Sequence, residues 1–434
     1  MSAALAYHRA TNVEAGGSDE APELDYSTRP HPFKDYSGTE RLPLDVSPAG
    51  PLLRDGAGIV RSRVARWGQK VHFRAYSSAG ALYPVEVYVA TPAAVLGFDP
   101  LELGFAVLGE LDLRPSLARA AASPELGRAA AVVVLTGIHA RTGWKYQERG
   151  YRHIWWDAGT MLANLLALAA ADDLRPRLHT AFVDADVNAL LGLDGVHEYA
   201  LALFALGEAD AGQANATAAA SSDGASGGHF PRAEEAHRAS SLADGEAVQR
   251  WRAPFVGDEP KLPRDELVRA MHRRGSVRAY IEEPLPRDEL SALLSWSEAR
   301  VPADAPRVVR QVVTVAAVEG LEPGIYDARL ELLRRHEEGE LRRRAGFAAM
   351  EQDHPRLAAA NVFQVAGLEA VVARLGERGY RWAQLEAGIR AGRLQVGAFM
   401  RGWGAAASTF YDEEVSGLLD TDDAPLLMVA LGRR

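Results

Sequence analysis

The 434-residue chain contains no cysteine. Disulfides, thiolate metal sites and a cysteine nucleophile are therefore excluded. No uninterrupted apolar run reaches ~18 residues, so the sequence offers no membrane span. The N-terminal stretch MSAALAYHRATNVEAG lacks a basic start followed by a long apolar core, and a bacterial-type cytoplasmic location is the expectation. Neither GxGxxG nor GxxxxGK occurs, which leaves no phosphate loop of those kinds. The histidines are scattered without ligand-like spacing, and no metal site is expected. Lysine is scarce beside arginine, so a lone lysine such as Lys145 says more than a lone arginine. The formal net charge of −10 is spread along the chain; nothing resembles the basic stripe of a nucleic-acid binder.

Hydrophobic residues make up 47% of the chain, enough for two cores. From Ala209 onward the sequence turns rich in Ala, Ser and Gly, as in GQANATAAASSDGASGGHF. Such composition cannot build a core, and residues 209–250 read as a flexible linker between halves 1–208 and 251–434. The halves are related. Glu148-Arg149-Gly150-Tyr151-Arg152 matches Glu377-Arg378-Gly379-Tyr380-Arg381, and Asp157-Ala158-Gly159 matches Glu386-Ala387-Gly388. After a one-residue gap, FVDADVNALL from Phe182 matches FYDEEVSGLL from Phe410. Three matched blocks in one order indicate duplication.

Local patterning is mixed. Asp157–Ala171 and Leu385–Met400 carry apolar residues at helical spacing, whereas Val85–Ala90, Ala131–Thr136, Val312–Ala317 and Leu426–Leu431 read as strands. Pro-Arg-Asp-Glu-Leu occurs at Pro263 and again at Pro286, each a proline-led helix start. Two α+β units joined in one chain suggest a pseudo-dimer.

One stretch has no counterpart in the other half: FRAYSSAGALYPVEVYVA, Phe73 to Ala90. Five small residues, Ser77 to Ala81, precede a strand and permit something flat to lie against their backbone. This string, the YR motif followed by a (D/E)AG helix, and GWGAAASTFYDEEV together resemble the nitroreductase-type flavin fold. More narrowly they resemble the SagB-type dehydrogenases, which include azoline-oxidising enzymes of peptide natural-product pathways. RRGSVRAY (Arg273 to Tyr280) resembles the basic opening that holds flavin mononucleotide (FMN) in that fold. The resemblance covers most of both halves outside the linker.

The resemblance implies two nitroreductase-like domains in tandem and a flavin at their interface, its site assembled from both. Half two supplies Arg273, Arg274, Ser276 and Arg278, with Gly402 and Gly404, and Arg433 is a further phosphate candidate. Half one supplies Ser77, Ser78, Ala79 and Gly80. In the opposite site DDLRPRL replaces GWG, RPHPFKDY keeps only Lys34 and Tyr36 against Arg278 and Tyr280, and EARVPADAPRVVRQ replaces the small-residue loop. One complete site, hence one FMN, is expected. Arginine suits a dianionic phosphate. Lys145-Tyr146 occupies the place of the azoline oxidases' Lys-Tyr pair, where half two has Arg374-Leu375, and the pair is the candidate for taking a proton as hydride moves to flavin N5. Tyr151-Arg152 and Tyr380-Arg381 recur in both halves and are read as structural, with Asp157 and Glu386 as their candidate partners. Trp155 and Trp156 are read as core residues, one of which could wall a pocket.

The expected function is an FMN-dependent oxidoreductase of SagB type that dehydrogenates a small molecule or peptide. An NAD(P)H-dependent reductase of nitro, quinone or enone groups is an alternative, as is a flavin-binding or scaffold subunit without chemistry. Neither a nucleic-acid nor a membrane partner is expected.

Overall fold

The computed structural model describes residues 2–16, 24–65, 68–210 and 228–434. Each half is built around an antiparallel sheet. In half one the strand order is Arg41–Leu42, Gly104–Gly109, Val95–Asp99, Val85–Ala90, Ala131–Ile138, Glu198–Leu206 and Arg177–His179. In half two it is Leu332–Arg335, Gly324–Asp327, Arg310–Val315, Ala360–Ala366, Ala424–Gly432 and Gly404–Ser408. Apart from the added first strand of half one, the two orders are the same, as duplication requires. The central strands are buried on both faces. Val85, Val87 and Val89 point to an inner core continuous across both halves. Tyr88 and Ala90, on the other face, point to an outer core under the helices Arg114–Ala120 and Asp184–Leu190. That is the two-residue period of a strand.

Two long helices, Gly150–Ala171 and Arg378–Met400, form the middle layer between the sheets. They cross where Gly159 faces Gly388. A Cβ on Gly159 would sit 2.6 Å from the Gly388 backbone, and one on Gly388 2.6 Å from the Trp156 carbonyl oxygen. The glycine of each (D/E)AG block is thus required by helix contact. The stretch His139–Ala171 is long and apolar enough to cross a membrane by length and composition, but 94% of its apolar window is buried inside the protein.

The repeated ERGYR block is a docking device. Glu148 accepts the Arg232 and Ala233 N–H groups at the start of the helix Pro231–Ala239 (3.2 and 3.0 Å). Glu377 does the same for Ala3 and Ala4 at the start of the helix Ala3–Ala10 (3.2 and 2.8 Å). Arg149 and Arg152 of half one grip Asp412 of half two at 2.9 and 3.1 Å. Arg378 and Arg381 of half two grip Asp184 of half one, both at 2.6 Å. The structural reading of these arginines holds, but their expected partners change. Asp157 bonds Ser78 and Ala79 instead, and Glu386 bonds the Val308 and Val309 N–H groups and Arg390.

Of the segment read as a linker, 211–227 lies outside the described residues. The remainder is more ordered than its composition suggests: it carries the helices Pro231–Ala239 and Gly245–Trp251, with Ala233, Ala236 and Val248 buried. The first of these helices mirrors Ala3–Ala10. Arg152 bonds the His8 carbonyl and Thr11 Oγ1, as Arg381 bonds the His237 carbonyl and Ser240 Oγ. Both proline-led helices form, Arg264–Arg273 and Arg287–Glu298, with Pro263 and Pro286 one residue before each start.

Candidate active site between the two halves

Three side chains fix the small-residue loop from behind. Asp157, on the first long helix, accepts from Ser78 Oγ (2.5 Å) and the Ala79 N–H (3.1 Å). Thr160, one turn on, donates to the Ser77 carbonyl at 2.6 Å. Arg274, from half two, donates to the carbonyls of Arg74, Ala75 and Tyr76. Arg29 holds the outer side through the Gly80 and Ala81 carbonyls. The loop can then take left-handed backbone at Gly80 (φ +62), and also at Ala81 (φ +51) and Tyr83 (φ +46). Non-glycine residues reach that region only when their surroundings impose it.

In front of the loop lies a cavity of about 530 Å³. Half one contributes Ser77, Ser78, Ala79, Gly80, Lys145, Tyr146, His153, Trp156 and Asp157; half two contributes Ser276, Arg278, Gln352, Ala407, Ser408 and Thr409. The segment bearing Ser276 and Arg278 is laid along the edge strand Gly404–Ser408: Ser276 bridges Ala405, and the Val277 N–H donates to the Ala405 carbonyl at 3.1 Å. The size is that of a small-molecule or cofactor site.

The electrostatics favour an anion at the half-two wall. Arg278 donates to Gln352 Oε1 at 2.8 Å and meets the His354 ring at 3.2 Å. Burial and the Arg278 charge push His354 down to about 4, so both partners are neutral and the guanidinium charge is not compensated. Asp157 is the one carboxylate among the described lining residues. Burial pushes its carboxyl up to about 7, against the opposing effects of Ser78, Ala79 and Arg274.

Lys145 and Tyr146 end the lid helix His139–Tyr146. The Lys145 ammonium lies 5.2 Å from the centre of the Tyr146 ring. Partial burial, then Arg278 and Arg29, lower its pKa. Tyr146 stacks on His153 at 4.0 Å, and His153 meets Trp156 edge-on at 4.7 Å. His153 is kept neutral by burial and by Arg149 and Arg152, and its Nε2 is buried without a partner.

Several expected ligands lie elsewhere. Arg273 ends its helix exposed and does not line the cavity. Arg274 is buried and spent on the loop carbonyls, so it positions rather than binds. Gly402 (φ +74) closes the second long helix: its N–H donates to the Phe399 carbonyl, and the Trp403 N–H to the Ala398 carbonyl. That is a left-handed helix cap. Gly404 admits Val277, whose side chain would meet a Cβ there at 2.8 Å. Arg433 donates to the Pro284 carbonyl, away from the cavity. Of the same segment it is Ala407, Ser408 and Thr409 that line the cavity. His153 and Gln352 were not singled out by the sequence.

The opposite site is filled. Residues equivalent to Arg149, His153 and Trp156 are Arg378, Trp382 and Leu385, and they surround a space of about 10 Å³. Trp155, Leu201 and Trp251 line the same space. Half two's replacement for the small loop closes in: Leu178 donates to the Pro302 carbonyl, the Asp304 N–H donates to Leu178, and Asp304 accepts from the Thr180 N–H at 2.7 Å. Lys34 and Tyr36 do not mirror Arg278 and Tyr280. Lys34 is buried against Glu198 (2.5 Å) and Tyr88 (2.6 Å), and the Tyr36 ring fills the space above Gly97.

Comparison with known proteins agrees with this architecture. A solved structure from Anabaena variabilis described as a nitroreductase superposes with a TM-score of 0.84 at 26% identity, covering 100% of this chain and 99% of that one. A curated relative from Methanocaldococcus jannaschii, described as nitroreductase MJ1384, is 29% identical over 188 residues, 40% of this chain and 94% of the relative. The family model named Nitroreductase family matches twice, over residues 53–208 and 271–433. The two matched spans take in most of the chain and most of its two large sheets, and the protein belongs to the nitroreductase family.

Proposed function

We propose that the protein is an FMN-dependent oxidoreductase of SagB type, holding one FMN per chain and dehydrogenating a small molecule or peptide. The single observation that carries this reading is the asymmetry of the pair of sites: an open cavity walled by both halves on one side, and a filled counterpart of about 10 Å³ on the other. Members of this family are generally flavin-dependent, and the cavity's own atoms fit such a group. Arg278 presents an uncompensated positive charge and Ser276 a hydroxyl, which suit a phosphate. The backbone of Ser77 to Gly80 allows a flat ring to approach. FMN, when bound, supplies a two-electron acceptor.

The protein's residues supply the rest. Asp157, Thr160 and Arg274 hold the loop in place before any ligand arrives, which spares that ordering cost on binding. The aromatic group Tyr146, His153 and Trp156 walls the space beside Lys145 and keeps it partly dry. Lys145, with its lowered pKa, accepts a proton at Nζ from a substrate carbon or nitrogen more readily than an ordinary lysine at neutral pH. Tyr146, its hydroxyl kept protonated by burial, shares with Lys145 in handling the substrate proton.

The test is to release and quantify flavin from the purified, reconstituted protein, then follow bleaching of its visible band with candidate substrates or with NAD(P)H. One flavin per chain and substrate-driven bleaching support the reading. Two flavins per chain overturn the single site, NAD(P)H-driven bleaching alone assigns a reductase, and no flavin leaves a scaffold.

A further inference from the structure

Arg278 is the cation that half two places on the cavity lining, and it is solvent-exposed. An exposed arginine loses side-chain freedom when it settles on a ligand, unless something already holds it. Two side chains hold this one. Gln352 Oε1 accepts from Nη1 at 2.8 Å, and the His354 ring lies against the same nitrogen, with Nδ1 at 3.2 Å and Nε2 at 3.3 Å. Gln352 is itself oriented, because its amide nitrogen donates to the Ala349 carbonyl at 2.8 Å and leaves Oε1 for the arginine. His354 is 2% exposed and is oriented too, by Ser408 Oγ at 2.5 Å from its Nε2. A guanidinium has only donors, so the arginine needs a ring nitrogen with a lone pair. In the neutral ring, Nε2–H therefore donates to Ser408 and Nδ1 accepts from Arg278.

The local backbone is built to bring these groups together. Gln352 and His354 follow a turn between the helices Glu338–Ala348 and Asp353–Leu357, in which Met350 and Glu351 are both left-handed at φ +57. Non-glycine residues keep that conformation only where their surroundings impose it. The fold does not impose the histidine. At the offset that relates the two ERGYR blocks, the helix Asp353–Leu357 corresponds to the short helix Pro124–Arg128, and Glu125 stands where His354 does. A carboxylate beside Arg278 would cancel its charge. A neutral imidazole holds the arginine and leaves that charge for a ligand.

We propose that His354 is a positioning residue: with Gln352 it fixes the Arg278 guanidinium on the cavity wall and keeps its charge available to the flavin phosphate. The proposal rests on the FMN reading above and adds to it a residue that does not itself line the cavity.

The experiment is equilibrium titration of the full-length apoprotein with FMN and with riboflavin, which lacks the phosphate. The ratio of the two affinities reads the phosphate contact; a variant that merely disturbs the fold weakens both flavins together. His354→Gln, which keeps a neutral acceptor, should hold the wild-type ratio to within about twofold. His354→Phe keeps a ring but removes both hydrogen bonds, and should lower the ratio about two- to tenfold, the range of one net hydrogen bond. Gln352→Leu, at a half-buried position, should lower it by a similar factor. His354→Glu, which installs the residue of half one, should lower it about tenfold or more, toward Arg278→Ala, because the carboxylate cancels the guanidinium charge. In the Arg278→Ala background none of these changes should lower it further. Wild type that binds neither flavin overturns the FMN reading and this proposal with it. Wild type that prefers FMN, with that preference intact in His354→Phe, Gln352→Leu and His354→Glu, overturns the proposal alone, and so does wild type that binds the two flavins equally.

Discussion

Gly159 and Gly388 touch backbone to backbone at the centre of the molecule, where the two long helices cross. Neither glycine needs an unusual φ; what each provides is the absence of a Cβ. Because both neighbouring atoms are backbone, a methyl group cannot be accommodated by a side-chain rotation. Gly159→Ala should force the helices apart and cost about 1–3 kcal/mol, as overpacking does. Urea unfolding checks this, and the variant should also lose flavin affinity, since Asp157 and Thr160 on the same turn hold the loop. A midpoint equal to the wild type's would mean that the helices do not meet there.

Asp412 and Asp184 each neutralise two buried arginines of the other half. Removing one carboxylate leaves two buried guanidinium groups without their counter-ion. Asp412→Asn and Asp184→Asn should each destabilise by roughly 3–5 kcal/mol. The pseudo-symmetry makes a sharper expectation: the two losses should be similar, although Arg149 borders the open cavity and Arg378 the filled one. Thermal or urea denaturation of both variants decides.

The arginines of RRGSVR lie in separate environments: Arg273 exposed at its helix end, Arg274 buried, and Arg278 on the cavity wall. Arg278 should bind the phosphate, so Arg278→Ala should lower flavin affinity tenfold to a hundredfold, the worth of a charge-assisted contact of ~1.5–3 kcal/mol. Arg273→Ala should leave affinity unchanged, since Arg273 is exposed and away from the cavity. Equilibrium titration of apoprotein with FMN measures both. Equal losses would show that the phosphate reaches further toward the helix end.

That division marks the limit of what the sequence made legible. The duplication was visible because ERGYR and (D/E)AG recur at a constant offset, and the structure explains several of these residues: the glutamate caps a helix, the arginines cross to the other half, and the glycine of (D/E)AG lets the long helices meet. The same offset also relates Tyr7-His8-Arg9-Ala10-Thr11 to Ala236-His237-Arg238-Ala239-Ser240. Linker-like composition nearby masked that fourth block, although Thr11 and Ser240 bond the equivalent arginines. Which arginine of RRGSVR faces the cavity depends on how the chain leaves its helix. Arg274 turns inward to the loop carbonyls, a long-range contact that no local pattern encodes. Lys34 looked like a degenerate phosphate ligand because a short basic–aromatic match ignores its buried partner Glu198, far along the chain.

Asp157 gives the fold a pH dependence of known sign. Burial raises its carboxyl to about 7 in the folded protein, above the ordinary value of 3.8. The protonated form is therefore favoured by folding. Its contribution is fully present below the unfolded pKa and is lost as the pH rises through about 4 to 7, after which it is constant. Asp157→Asn cannot ionise, so its stability relative to wild type should climb across that window and level off above it. One proton sets an upper slope of ~1.4 kcal/mol per pH unit. Urea unfolding of both proteins from pH 4 to 9 gives the difference curve. A flat difference would mean that the bonds from Ser78 and Ala79 hold the carboxylate ionised throughout.

Lys145 and Tyr146 carry the last expectation, which concerns chemistry. The pair sits in the half that supplies the loop, on the rim of the cavity between the halves, and half two has Arg374-Leu375 in its place. General acid–base help is worth ~10²–10⁴ in rate. Lys145→Met and Tyr146→Phe should keep bound flavin but lose substrate-driven bleaching of its visible band by that factor. Because the lysine is lowered from its ordinary 10.5, the wild-type rate should rise with pH on a limb below 10.5, as the amine gives up its proton. That limb should vanish in Lys145→Met and persist in Tyr146→Phe. Should both variants reduce their flavin at the wild-type rate, the pair has no part in the proton transfer. The lid helix would then serve only to close the cavity, with Trp144 anchored to Thr28 at 3.0 Å as its outer clasp.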